Sequence, residues 1–352
     1  EPTATWIVQL PQMWTNQQIE EYGSAMTEAG IECDFLGHPS ENGLAVIIAK
    51  GTQSEVEDFV TNNPGPEFVE HDTELEIIPD DPSVPDEQLM RASTTGPPWG
   101  LDRIDAASGT DGSYNPPATG TGVHVYVVDT GIDIQHEDFG GRASSTIEVD
   151  GNGLRECNQS NPACAHDTHG HGTHCAGTVG GTKYGVAKNV SLHGVKVLWP
   201  TAYTSWIVKS MDWIATHAQR PAVVSMSLGG HGRSPAYATA VDVLVAADVP
   251  VVVAAGNANS PASEFAPAFV PAAITVGAST ERDVRASFSN YGSAVDIFAP
   301  GTNILSAEAG TRDGCVALQG TSMACPHVAG AIALVREMAP AWSPSQISDF
   351  LM

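Results

Sequence analysis

The chain has 352 residues, 42% of them hydrophobic, which is enough apolar material for a large core. It has no uninterrupted apolar run of about 18 residues, the length that a transmembrane helix needs, so no membrane span is expected. Asp and Glu number 41 against 15 Lys and Arg, and the basic residues do not cluster, which excludes nucleic acid and anionic membranes as expected partners.

The acidic charge divides the chain into two parts. Residues 1–92 hold 19 Asp and Glu against only Lys50 and Arg91, whereas the remainder holds 22 acidic and 13 basic residues. This shift in composition predicts two domains. In the first, hydrophobic periodicity predicts a βαββαβ unit, which is a small ferredoxin-like α+β fold. Its predicted elements span residues 5–10, 15–29, 32–36, 44–49, 52–60 and 68–78.

A proline-rich, acidic segment at 79–88 follows this unit and is almost devoid of hydrophobic residues. Such a composition predicts a linker. On its own, the domain that precedes the linker could equally be a ligand-binding or interaction module.

A mostly apolar run from Val123 to Val128 has the pattern of a strand buried on both faces, and it ends at Asp129. Functional groups of open α/β sheets lie at the carboxyl ends of such strands. Further along, a polar turn from His169 leads into small residues that predict a tightly packed helix. His171, at the start of that helix, is therefore expected to be held rigidly.

Ser322 lies between a turn at Gly320 and an Ala-rich segment that predicts a buried helix, and Pro326 fits the first turn of this helix. A hydroxyl at a helix N-terminus can attack a carbonyl whose developing oxyanion is stabilised there. Serine is inert without a base and an orienting acid. His171 and Asp129 are the candidates for these two roles.

The chain order Asp129, His171, Ser322 is the subtilisin order. The three segments resemble those of the subtilisin-like serine proteases, most closely the proteinase K branch, and the resemblance covers residues 98 to about 340. It implies an α/β fold, a three-layer sandwich with a mostly parallel central sheet, preceded by a small α+β ferredoxin-like prodomain. Further blocks that agree with the family begin at Pro98, Tyr184, Ser227, Ala254 and Ser287.

The resemblance also implies a serine endopeptidase and its mechanism. His171 would act as general base and then general acid, and Asp129 would hold its imidazole. Asn257 would donate to the oxyanion together with the backbone N–H of Ser322. No cofactor is expected for this chemistry.

Protein or peptide substrates are the expected partners. Ser227, Leu228 and Gly229 read as a strand that pairs with an extended peptide, which implies broad specificity. The walls of the S1 pocket that the family implies are small and uncharged, so apolar or aromatic P1 residues are favoured. The segment at 198–204 is shorter than in proteinase K, which leaves the S2 and S4 preferences open. The implied S1 walls are Leu228, Gly229, Ala254, Ala255 and Gly256.

By the same resemblance, residues 1–79 are interpreted as an inhibitory prosegment, which is the protein's own intramolecular partner and folding aid. Residues 80–91 are then the linker and 92–352 the peptidase domain. Self-cleavage is expected near 89–92, where spacing favours the Arg91–Ala92 bond and the uncharged S1 pocket favours Met90–Arg91. The choice between the two bonds stays open.

Calcium is the expected structural ion, because Asp296 and the carbonyls of Pro271 and Ala273 occupy positions that bind it in proteinase K. Hard cations prefer such oxygen ligands. Cys157 and Cys164 lie in one polar loop and can close a disulfide worth about 2.5 kcal/mol.

The remaining expectations concern location and state. A chain that begins at Glu1 without a signal peptide fits a secreted, extracellular and monomeric zymogen. A sequence cut at an arbitrary position would begin in the same way. The family adds a closing strand beyond Met352, so the peptidase domain is expected to be incomplete at its C-terminus. Two other functions stay open: a catalytically silent binding protein with this fold, and an esterase with the same triad.

Overall fold

The computed structural model describes residues 1–76, 96–158, 160–199 and 201–352. In the first range, two helices cover one face of a four-stranded antiparallel sheet whose strand order is 2-3-1-4. Both helices begin with a capping box, at Thr15 and at Thr52. The elements are β1 Ala4–Gln9, α1 Asn16–Glu28, β2 Glu32–Leu36, β3 Val46–Gly51, α2 Gln53–Asn62, β4 Phe68–His71 and β5 Glu74–Glu76.

The larger part of the chain is built on an eight-stranded sheet. Its strands are β6 His124–Asp129, β7 Ala143–Asp150, β8 Gly153–Glu156, β9 Ser191–Lys196, β11 Ala222–Met226, β13 Val251–Ala254, β15 Ile274–Ser279 and β16 Ile297–Pro300. Their spatial order is 16-15-13-11-6-9-7-8, and all neighbours are parallel except β7 and β8. The shorter strands are β10 Thr201–Tyr203, β12 Gly230–His231, β14 Phe265–Ala266, β17 Ile304–Ala307 and β18 Cys315–Leu318.

Helices flank this sheet on both faces. They are α3 Trp99–Ile104, α4 His171–Gly180, α5 Thr204–His217, α6 Pro235–Ala246, α7 Thr321–Met338 and α8 Pro344–Leu351, with short 3₁₀ turns at Pro39–Glu41, Glu137–Phe139 and Ala262–Glu264. None of the helices within the described ranges has the length and apolarity needed to cross a membrane.

Strand β6 explains why the sheet needs cover on both sides. Val125 and Val127 point into a core shared with α4 and α7, whereas Tyr126 and Val128 point into a second core shared with α5 and α6. Alternate residues of a strand face opposite sides, so an apolar run of this kind is stable only in a middle layer. The predicted three-layer α/β sandwich with a mostly parallel central sheet is confirmed.

The N-terminal sheet packs on α5 and α6 through its other face. Ile7, Val46 and Ile48 of this sheet belong to the same apolar cluster as the residues of these two helices. Burying such side chains is worth about 1.5–3 kcal/mol each, so these apolar contacts stabilise the packing of the N-terminal sheet on the two helices.

The strand predicted at 68–78 is interrupted in the structure. It consists of β4 and β5, and β5 leaves the N-terminal sheet to pair antiparallel with β10. The break lies at Asp72 and Thr73, because both bind the N-terminus of α5. Asp72 accepts hydrogen bonds from the backbone N–H and the hydroxyl of Ser205, at 2.9 and 2.6 Å. Residues 77 and 78 of the predicted strand, the predicted linker and the predicted cleavage bonds lie outside the described residues.

Candidate active site

Asp129 and His171 form a buried pair at the carboxyl end of the central sheet. Asp129 is the last residue of β6, and His171 is the first residue of α4. The Nδ1–H of His171 donates to both carboxylate oxygens of Asp129, at 2.7 and 2.9 Å. With the proton held on Nδ1, the Nε2 atom of the neutral imidazole is the acceptor.

The charge of Asp129 tunes the basicity of His171. Burial alone would lower the pKa of His171, but the Asp129 carboxylate outweighs this and raises it well above the ordinary value of 6.5. The neighbouring His174 shows the contrast, because burial lowers its pKa to about 3. His174 also contacts the backbone carbonyl of Ile304 at 2.9 Å, so it is a packed structural residue.

Ser322 is the second residue of α7, which begins at Thr321. Pro326 therefore lies inside this helix, and its predicted place in the first turn is wrong. Proline has no N–H to pair with the carbonyl four residues earlier, which here is that of Ser322. That carbonyl instead accepts from the Ser227 hydroxyl at 2.8 Å and from the Cys175 thiol at 3.5 Å. These bonds anchor the start of α7 on α4 and on the segment after β11.

The same thiol shows how close the two candidate catalytic groups are. Cys175 Sγ lies 3.9 Å from His171 Nδ1 and 3.5 Å from the Ser322 carbonyl. The Ser322 hydroxyl and His171 Nε2 are both buried, and neither has a hydrogen-bond partner among the described residues. Catalytic hydrogen bonds are often long in a substrate-free site and tighten when substrate binds. The triad itself stays a prediction.

Asn257 lies beside Ser322, and its amide is oriented by Thr321. Its Oδ1 accepts from the backbone N–H and from the hydroxyl of Thr321, both at 2.9 Å. The same hydroxyl accepts from the backbone N–H of Gly256 at 3.0 Å. The amide nitrogen of Asn257 is a donor, as an oxyanion site requires. The role of Thr321 was not predicted, and its only signal in the sequence is its place directly before Ser322.

A family model described as the subtilase family matches residues 120–352. The chain belongs to the subtilase family. A solved structure described as a cold adapted subtilisin-like serine proteinase aligns with a TM-score of 0.67 and 44% identity, over 73% of this chain and 90% of that one.

Curated relatives agree with this assignment. The chain is 47% identical over 289 residues to the extracellular serine proteinase of Thermus sp. (strain Rt41A), covering 80% of this chain and 68% of the relative. It is 41% identical over 315 residues to alkaline serine exoprotease A of Vibrio alginolyticus, covering 89% of this chain and 55% of the relative. Cerevisin of Saccharomyces cerevisiae is 40% identical over 305 residues, or 81% of this chain and 44% of cerevisin. The predicted family, its proteinase K branch and the serine endopeptidase class are confirmed.

The residues predicted to bind substrate follow two strand ends of this subtilase. Ala254 ends β13, and Ala255 and Gly256 come directly after it and are buried. Gly256 has a φ of +100°, and a Cβ there would lie 2.4 Å from the amide nitrogen of Asn290. Asn290 in turn donates to the Ala255 carbonyl at 2.8 Å, which holds this wall in place. Larger side chains are therefore excluded at Gly256.

The segment from Ser227 to Gly229 is not a strand, which corrects the prediction. Strand β11 ends at Met226, and the next strand, β12, begins at Gly230. The Ser227 hydroxyl bonds to Ser322, and a Cβ on Gly229 would lie 2.5 Å from the Ala266 carbonyl. These contacts hold the three residues in an irregular conformation at the end of the sheet.

Strand β10 lies within the segment at 198–204, on which the predicted S2 and S4 preferences depend. Its residues Thr201, Ala202 and Tyr203 pair with Glu76, Leu75 and Glu74 of β5. Leu75 is only 6% exposed, and it belongs to the apolar cluster that contains Leu198, Ile207 and Leu228. An extended segment of the N-terminal part therefore pairs with β10.

The predicted calcium ligands lie away from the triad. Pro271, Ala273 and Asp296 line one cavity of about 220 Å³. Burial raises the pKa of Asp296, although its carboxylate accepts from the backbone N–H of Thr275 at 2.8 Å. A half-buried carboxylate beside backbone carbonyls is a donor set that fits Ca²⁺.

Cys157 and Cys164 form a disulfide, as expected from their spacing. Cys175 and Cys325 are buried thiols, each about one helical turn beyond His171 and Ser322, respectively. The disulfide loop comes just before the turn that carries His171.

Proposed function

We propose that this subtilase is a secreted serine endopeptidase that hydrolyses peptide bonds through an acyl-enzyme formed on Ser322. The observation that carries the proposal is the buried Asp129–His171 pair, with two contacts at 2.7 and 2.9 Å, beside the N-terminus of α7. A hydroxyl at that terminus, next to an oriented base, is the arrangement that nucleophilic catalysis requires.

In the first step, the Ser322 Oγ attacks the carbonyl carbon of the substrate while His171 Nε2 accepts the hydroxyl proton. Asp129 stabilises the imidazolium that forms, and this ion then gives its proton to the leaving amine. Water repeats the sequence and releases the acyl group. No cofactor takes part in these steps.

The oxyanion would be held by the amide N–H of Asn257 and the backbone N–H of Ser322. The Thr321 contacts to Asn257 support this, because they fix the amide before substrate arrives. A donor that needs no reorganisation contributes most to transition-state stabilisation.

Broad specificity with an apolar or aromatic P1 residue follows from the walls of the cleft. Ala254, Ala255, Gly256 and Gly229 are small, Leu228 is apolar, and none of the five residues is charged. Main-chain pairing with a cleft edge supplies affinity without demanding a particular sequence.

We also assign residues 1–79 to an inhibitory prosegment, 80–91 to a linker with cleavage near 89–92, and 92–352 to the peptidase domain. The antiparallel pairing of β5 with β10 supports this, because the tail of an inhibitory prosegment would bind an edge of the proposed cleft as an added strand. Asp72 caps α5, and Glu70 bonds to the Ser234 hydroxyl just before α6. Carboxylates at helix N-termini are favourably placed.

A structural calcium ion is proposed at Pro271, Ala273 and Asp296, with no role in the chemistry. Secretion is proposed because the relative from Thermus is named an extracellular serine proteinase. The disulfide between Cys157 and Cys164 fits an oxidising compartment.

The test compares Ser322→Ala with a matched control, Ser210→Ala. Ser210 is also a buried helical serine, on α5, and its hydroxyl donates to the carbonyl of Ile207 in the same helix at 2.7 Å. We expect Ser322→Ala to lose casein hydrolysis by about 10⁶-fold and to remain one uncut chain. Ser210→Ala should be cut and active. Casein hydrolysis by the Ser322 variant would refute the proposal, and an active parent that is never cut would refute the zymogen.

A further inference from the structure

Asp167 is a buried carboxylate that the proposed mechanism does not use. It lies three residues after the disulfide loop and four before His171, and it is only 2% exposed. A buried charge of this kind is costly unless it is fully hydrogen-bonded. Asp167 satisfies that condition with five hydrogen bonds, all to the two chain segments that carry Asp129 and His171.

Four of these bonds hold the start of α4. The Oδ1 atom of Asp167 accepts from the backbone N–H groups of His169 and Gly170, both at 2.9 Å. Its Oδ2 accepts from the N–H and the hydroxyl of Thr173, at 2.9 and 2.6 Å. The N-cap residue of α4 is Gly170, which has no side chain to cap the helix. Asp167 supplies that cap from outside the helix.

The fifth bond reaches the neighbour of Asp129. The hydroxyl of Thr130 donates to Asp167 Oδ1 at 2.9 Å. The same hydroxyl accepts from the backbone N–H of Gly172 at 2.9 Å. A closed ring of hydrogen bonds thus joins the residue after Asp129 to the residues on both sides of His171.

We infer that Asp167 is a positioning residue that, through Thr130, fixes the distance and orientation between Asp129 and His171. The inference rests on the proposed roles of these two residues. None of the five hydrogen bonds of Asp167 goes to the imidazole of His171. Its effect is to keep both oxygens of Asp129 on His171 Nδ1 while the imidazole gains and loses its proton.

The geometry leaves little tolerance. A Cβ on Gly172 would lie 2.2 Å from the Gly131 carbonyl and 3.1 Å from the Asp129 Cβ, so α4 and the end of β6 are already in close contact. A small shift at a catalytic site can cost about 10²-fold in rate. Substrate binding should be unaffected, because none of the five hydrogen bonds of Asp167 goes to β10 or β13.

The first test is Asp167→Asn, with Asp102→Asn as the matched control. Asp102 is also a buried carboxylate that accepts two backbone N–H groups, from Asp111 and Gly112 at 2.7 and 2.9 Å, but on α3. Asparagine at 167 has the same shape as aspartate, but its NH₂ group cannot accept a hydrogen bond. In either orientation this group must face a donor, either from Thr173 or from the backbone. The enzyme matured from the full chain is titrated with a serine-directed phosphonate, and kcat and KM are measured per titrated site.

For Asp167→Asn we expect kcat to fall about 10²-fold with KM unchanged. The acid limb of its kcat/KM profile should also move to lower pH, because a looser Asp129 contact raises the pKa of His171 less. Asp102→Asn should match the parent in kcat and in pH profile even if its melting temperature falls. Parental kcat per titrated site in Asp167→Asn, or an equal loss in Asp102→Asn, would overturn the inference.

A second pair keeps the test decisive if Asp167→Asn does not fold. Thr130→Ser retains the hydroxyl, whereas Thr130→Val removes it at nearly constant volume. We expect the serine variant to retain kcat and the valine variant to lose about 10-fold or more, again at constant KM. Equal kcat values in the two would refute the positioning role. Activity in a parallel Ser322→Ala sample would instead refute the triad.

Discussion

Asp212 is one of the buried carboxylates that join the proposed prosegment to the peptidase domain, and the effect of its removal can be calculated. Asp212 of α5 accepts from the backbone N–H groups of Leu44 and His38 at 2.7 and 3.2 Å, both on its Oδ1. The imidazole of His38 contacts its Oδ2 at 2.7 Å. Asp212 is 1% exposed when the N-terminal part packs on α5. Asp212→Ala therefore removes three contacts at once, all of them between the two domains.

Each backbone hydrogen bond to the charged oxygen is worth about 1.5 kcal/mol, so the two contribute about 3 kcal/mol. His38 is half-exposed, and its ion pair adds at most about 1 kcal/mol. Since 1.4 kcal/mol is about a tenfold change in affinity, the inhibition constant of the prosegment should rise at least 10²-fold. None of the three proposed triad residues lies on α5, because Asp129 is on β6, His171 on α4 and Ser322 on α7, so kcat/KM toward a peptide should not change.

The assay measures inhibition of matured enzyme by separately added residues 1–79. Gly43→Ala disrupts the same contact from the prosegment side, because the added Cβ would lie 2.4 Å from the Asp212 Oδ1 atom and clash with it. The two substitutions share one contact, so their combined effect should be smaller than the sum. Asp212→Asn, which retains an acceptor without the charge, should fall between the parent and Asp212→Ala. An inhibition constant within threefold of the parent in Asp212→Ala would refute this account of the interface.

Three further results are expected. Asn257→Ala should lower kcat about 10²–10³-fold at similar KM, and a loss as large as that of Ser322→Ala would contradict its role as one of several oxyanion donors. The acid limb of the kcat/KM profile should lie above pH 6.5, because Asp129 raises the pKa of His171 despite its burial. Only the neutral imidazole can accept a proton. An acid limb below pH 6.5 would contradict this expectation. Calcium at about 100 times its dissociation constant should stabilise the enzyme by about 2.7 kcal/mol and raise its melting temperature. The Asp296→Asn variant should show no such rise. Equal rises in the parent and the variant would exclude the site.

The parts of the site that the sequence predicts are those with local signals. Asp129 follows an apolar run, and His171 and Ser322 each stand between glycine turns and small-residue helices. Such patterns need no knowledge of distant residues, and their chain order identified the family. The βαββαβ order of the N-terminal part was readable for the same reason.

Contacts between distant residues were not predictable. The predicted strand at 68–78 breaks because Asp72 binds Ser205, 133 positions later. Ser227 leaves the strand conformation and bonds to Ser322, 95 positions away, because Pro326 cannot pair with that carbonyl. Neither of these long-range hydrogen bonds is indicated by the residues that surround its two partners in the sequence.

Asp167 shows the same limit within the active site. Its partner Thr130 is 37 positions earlier, and no pattern around Asp167 distinguishes it from a solvated loop residue. Only the count of its hydrogen bonds in the folded chain reveals that it joins the two segments of the proposed Asp–His pair.

The central claim is that Ser322 is the nucleophile, made reactive by His171. The most direct measurement is labelling of the matured enzyme with a serine-directed phosphonate, followed by peptide mapping by mass spectrometry. We expect one adduct per chain, on Ser322, formed in parallel with the loss of casein hydrolysis and at a rate that rises with pH along the acid limb of kcat/KM. An adduct on another serine, or full hydrolysis by a chain labelled at Ser322, would contradict the account.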